Sequence, residues 1–71
     1  MAKQLTKAAL LKIIKKSKVG YPLIEAALEE AKGNAMKRGE LPSYIRGVAG
    51  PEPDAEIRAA MMSLSRMMMT S

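Results

Sequence analysis

The side chains with chemical reach in this sequence are amines and carboxylates. Histidine and cysteine are both absent. A poised imidazole or thiolate for acid–base or nucleophilic catalysis is therefore missing, as are the usual zinc ligands and any disulfide. The carboxylates Glu25, Glu29 and Glu30 fall at helical spacing and read as a solvated helix face rather than a catalytic pair. Neither a phosphate-cradling P-loop nor a G-x-G-x-x-G turn occurs. These residues predict a non-catalytic protein with no metal, no cofactor and no small-molecule substrate.

The amines are more informative. Residues 1–18 hold Lys3, Lys7, Lys12, Lys15, Lys16 and Lys18 and no acid, whereas residues 19–71 hold six basic and seven acidic side chains. The net charge of +5 is thus concentrated in the first segment. A charge so localised is a footprint for a polyanion (nucleic acid, an acidic membrane or an acidic protein face), set against the plain alternative of a solvated polar helix face. Lys12, Lys15 and Lys16, with a second basic cluster at Lys37, Arg38 and Arg46, are the predicted nucleic-acid contacts. Lysines on one face neutralise phosphates without reading sequence. A basic amphipathic helix could also lie on an anionic membrane. The lack of Trp and Phe, and the need of the apolar face for a core, argue against that.

The elements that must position these residues are helices. Hydrophobic content is 48%, drawn largely from Ala, Leu and seven Met, with two Tyr as the aromatic complement. Such residues carry little helix penalty, and the scarcity of β-branched and aromatic residues disfavours strands. The pattern predicts a first helix over 6–17, with Thr6 as N-cap. Ala9, Leu10, Leu11, Ile13 and Ile14 would face inward and the lysines outward. Gly20 is expected to end it with positive φ.

Pro22 is expected to open a second helix, with Leu23, Ile24, Ala27, Leu28 and Ala31 inward. This helix-turn-helix spacing is not read as a major-groove reader, because Glu25, Glu29 and Glu30 would face phosphates. Gly39-Glu40-Leu41-Pro42 reads as a break before a short helix near 43–48, and "GVAGPEP" as a hinge. Asp54 is the expected N-cap of a last helix over 55–68.

The resulting expectation is a small all-α domain of three to four helices. Residues 1–50 would form the helical core domain, and residues 51–71 a Pro-rich hinge with a mobile or docking Met-rich helix. Flexible thioethers suit adaptable partner surfaces. Met61, Met62, Leu64, Met67, Met68 and Met69 are therefore the expected partner-binding residues, for another protein or a second copy in a homodimer. No run reaches the roughly 18 apolar residues of a membrane span, and no secretory leader is evident, so the expected setting is cytoplasmic.

Two family patterns overlap these segments. "GYPLIEAALEEAKGN", through Gly20, Ala27, Leu28, Ala31, Gly33 and Asn34, resembles the ubiquitin-associated-like N-terminal module of elongation factor Ts. That resemblance implies a three-helix protein-binding module. Leu23, Ile24, Ala27, Leu28, Ala31, Gly39, Leu41, Tyr44, Ile45 and Val48 together resemble the C-terminal domain of DnaD-like replication-initiation proteins, which implies a small helical DNA-binding domain.

Overall fold

The computed structural model describes residues 6–69, which form four helices and no strand. These are α1 (Lys7–Ile14), α2 (Gly20–Ala31), α3 (Ala35–Ala49) and α4 (Ala55–Met69). The predicted all-α class is the observed one. Lys3 lies outside the described residues.

Three of the four helix starts follow from side-chain caps. Thr6 Oγ1 accepts the Ala9 N–H at 3.2 Å, and Asn34 Oδ1 accepts the Lys37 N–H at 3.2 Å. Asp54 Oδ1 accepts the N–H groups of Glu56 (2.9 Å) and Ile57 (3.2 Å). Each satisfies a donor that the first turn leaves without an intrahelical partner.

The start of α2 is different and departs from expectation. α1 stops at Ile14, short of the predicted residue 17, because the chain tightens into i→i−3 bonds at Lys16 and Ser17. Ser17 Oγ then accepts the Gly20 N–H at 2.9 Å and donates to Glu52 Oε1 at 2.8 Å. Gly20 does not end the first helix with positive φ; it is the first residue of α2, and Gly33 alone among the glycines has positive φ (72°). Pro22 falls two residues inside α2, where its missing N–H is still one that the helix leaves unpaired.

The largest departure is α3, which runs unbroken through Gly39 and Pro42. A proline in a helix interior costs about 3 kcal/mol and a glycine about 1 kcal/mol relative to alanine. Against this, Leu41, Ile45 and Ala49 recur every four residues and are buried, with the Pro42 ring buried beside them. Burial of Leu41 and Ile45 contributes about 1.5–3 kcal/mol each, enough to offset the propensity cost.

All four helices contribute to one core, built on Leu10 and Ile14, Ile24 and Ala31, Leu41 and Ile45, and Met61 and Leu64. α4 packs on both α3 and α1, α2 packs chiefly on α3, and α1 meets α2 only marginally. The expected division at residue 51 therefore does not separate two cores, and α4 is a packed central helix rather than a swinging arm. Leu23, expected to face inward, is 44% exposed. The domain is a slab of 31 × 30 × 17 Å.

Candidate nucleic-acid interface

α1 is held by Leu10 and Ile14, both essentially buried, and this orientation turns its amines outward. Lys7, Lys12, Lys15, Lys16 and Lys18 are all exposed. Lys12 and Lys15 line a shallow, open concavity of about 540 Å³ with Ala8, Leu11 and Tyr21. Among the described residues the ion pairs are Lys32–Glu29 (3.4 Å) and Lys37–Glu30 (3.6 Å), and neither involves a lysine of this segment. The lysine face is thus a concentrated positive surface without a carboxylate partner among the described residues. A solvent-exposed pair such as Lys37–Glu30 is worth about 0–1 kcal/mol and leaves Lys37 easily recruited elsewhere.

The second predicted cluster is divided by the helix that carries it. Lys37 lies on the α2 side of α3, beside Glu30. Arg46 lies on the α4 side, with Nη1 3.8 Å from Met69 Sδ. Arg38 is exposed in the first turn of α3. α1 and α3 do not pack on one another. Lys12, Lys15 and Lys16 therefore form one patch, and Lys37, Arg38 and Arg46 do not join it as a single surface.

The methionine helix also needs correction residue by residue. Met61 and Leu64, expected at a partner surface, have no exposed area and hold the core together. Met62, Met67 and Met68 are half-buried against it. Met69, at 58% exposure, is the described methionine of this set that most openly faces solvent. Comparison with family models, curated proteins and solved structures gives no match.

Two features escaped the sequence reading. Arg58 and Arg66 lie one helical turn on either side of Met62, a spacing that places all three on one face of α4. The second is an apolar groove of about 530 Å³ between α2, α3 and the 50–53 loop, lined by Val19, Leu23, Tyr44, Val48 and Pro51. Val19 is 76% exposed and Tyr44 is 42% exposed. The signal for Tyr44 was hidden by the presumed break at Pro42. Once α3 is continuous, the phase set by Leu41 and Ile45 turns Tyr44 away from α4.

Tyr21 bridges the basic and acidic regions. Its hydroxyl donates to Glu25 Oε2 at 3.1 Å. That hydrogen bond holds the phenol pKa above its ordinary value, with smaller contributions from partial desolvation and from the Glu25 charge. Among the described residues no group of three His, Cys, Asp or Glu side chains could hold a metal, and no helix is long and apolar enough to cross a membrane.

Proposed function

We propose that this protein is a small, non-catalytic nucleic-acid-binding accessory or regulatory factor of the cytoplasm. Its phosphate-contacting surface is Lys12, Lys15 and Lys16, with Lys7 and Lys18 at the ends of the same segment and Arg38 as an outlying contact. The observation that supports this reading is the α1 face itself: exposed lysines, with no carboxylate partner among the described residues. Phosphate oxygens are the anions that such a face neutralises, with release of counterions. The resemblance to DnaD-like domains points to the same class of ligand. Recognition of this kind carries no base preference.

Duplex DNA binding measured at several salt concentrations tests the proposal. Each neutralised phosphate adds about 0.9 to the slope of log affinity against log salt. The Lys12→Ala/Lys15→Ala/Lys16→Ala variant is expected to lose most of the contribution of three phosphates, about 2–3 in slope. Negligible binding by the parent protein at low salt would end this reading.

A second reading is favoured by one observation, the exposed Val19, Leu23 and Tyr44 of the α2–α3 groove. Clustered exposed apolar side chains mark protein contacts. In this reading the protein is an adaptor that docks a larger complex or a second copy through the groove rather than through Met61 and Leu64. Sedimentation of the parent and of Leu23→Ser addresses the second copy: a mass that stays monomeric at every concentration removes it.

A further inference from the structure

We propose that Arg46 and Arg58 form a phosphate clamp across the α3–α4 groove, a second contact for the nucleic-acid backbone; the inference rests on the nucleic-acid reading above. The groove has a volume of about 500 Å³, with Arg46 on one wall and Arg58 on the other. Between them the groove is lined by Ala49, Gly50, Ala55, Ala59 and Met62, so Met62 alone adds side-chain bulk there.

Both guanidiniums keep donors to spare. Arg46 Nη1 approaches Met69 Sδ at 3.8 Å, a weak acceptor. Arg58 Nη1 donates to the Glu52 carbonyl oxygen at 2.8 Å, which fixes the side chain and uses one of its N–H groups. Neither arginine meets a carboxylate within ion-pair distance among the described residues. The nearby acids are engaged in the loop: Glu52 accepts from Ser17 Oγ and the Asp54 N–H, and Asp54 caps α4. Glu56 sits two positions from Arg58, a spacing that places it on a different side of the helix. Two guanidinium forks lining one groove, with no carboxylate partner among the described residues, present the bidentate donors that phosphate oxygens accept. Arg66, two turns beyond Arg58 on the same face, continues the positive surface along α4.

The test uses two probes on the full chain. With a duplex DNA oligonucleotide, Arg46→Gln is expected to lower the salt slope by about 1 and Arg46→Gln/Arg58→Gln by about 2. Parent-like slopes in both variants, with DNA still bound, overturn the clamp and leave the lysine interface standing. With pyrophosphate, the amide resonances of Gly50, Ala55 and Ala59 report on the groove, and their shifts should vanish in the double variant. If the parent binds no DNA but shows these shifts, the nucleic-acid reading fails while the phosphate site stands. If the shifts occur but the DNA slope is unaffected, the groove takes free phosphate and the proposed backbone contact is wrong. The absence of both the shifts and the slope change removes the site altogether. Arg58 also holds the Glu52 carbonyl, so Arg46→Gln is decisive should the double variant be less stable.

Discussion

Gly20 shows how a single hydrogen atom in place of a methyl group fixes this fold. A Cβ built there would lie 2.6 Å from Met61 Cε, 2.9 Å from Ser17 Oγ and 3.3 Å from Val48 Cγ1. The close approach lets Ser17 reach both the Gly20 N–H and Glu52, tying the α1–α2 turn to the loop before α4. Alanine is worth about 1 kcal/mol more than glycine in a helix. Overpacking of a core costs about 1–3 kcal/mol. Gly20→Ala is therefore expected to lower the urea midpoint, and shortening Met61 in the same chain should recover part of the loss. Additive losses in the double variant would show that Met61 is not the obstacle. At Tyr21 the linkage runs through the proton. The folded state binds that proton more tightly, so its stabilisation is present below the ordinary phenol pKa and is lost as pH rises through the elevated one. In a Tyr44→Phe background, Glu25→Ala, which removes the acceptor, should move the ultraviolet phenolate titration of Tyr21 to lower pH. An unmoved midpoint would contradict the Glu25 hydrogen bond as its cause.

At the scale of elements, α3 is where local preference and tertiary burial conflict. Gly39 lies within the helix, and nothing comes within 4 Å of a Cβ placed on it. Gly39→Ala should therefore stabilise the protein by about 0.5–1 kcal/mol, opposite in sign to the same substitution at Gly20. A thermal midpoint that falls in Gly39→Ala would show that α3 is not continuous there. The conflict also explains what the sequence could disclose. Thr6 and Asp54 were legible as caps because their signal is local. Pro42 concealed the phase of α3, and with it the outward position of Tyr44 and the separation of Lys37 from Arg46. The lysine run of residues 7–18 was legible because charge needs no phase. The close packing at Gly20 joins residues of α2, α3 and α4, and no local pattern announces such a contact.

The whole molecule is organised around α4, which packs on α1 and α3 where these do not pack on each other. α3 and α4 are joined by a short loop and form a local hairpin. α1, by contrast, reaches α4 across most of the chain. Met61 and Leu64 belong to this central helix, which is why methionines that looked available from sequence are enclosed. The same layout separates the two candidate contact surfaces: lysines are carried by the peripheral α1, arginines by the central α3–α4 pair.

One consequence concerns time rather than contacts. α1 has eight residues, fewer than the roughly 12–15 that an isolated helix needs to persist in water. Closing the long loop that returns it to α4 costs entropy that the α3–α4 hairpin does not incur. α1 is therefore expected to dock last during folding and to leave the folded slab first. Native-state hydrogen exchange should find the amides of Leu11–Ile14 opening at lower free energy than those of Met61–Ser65; equal protection would show that the four helices open only together. If α1 opens first, the segment richest in lysine is also the one that can reach out ahead of the domain, capture a polyanion at a distance, and fold back with it onto α4.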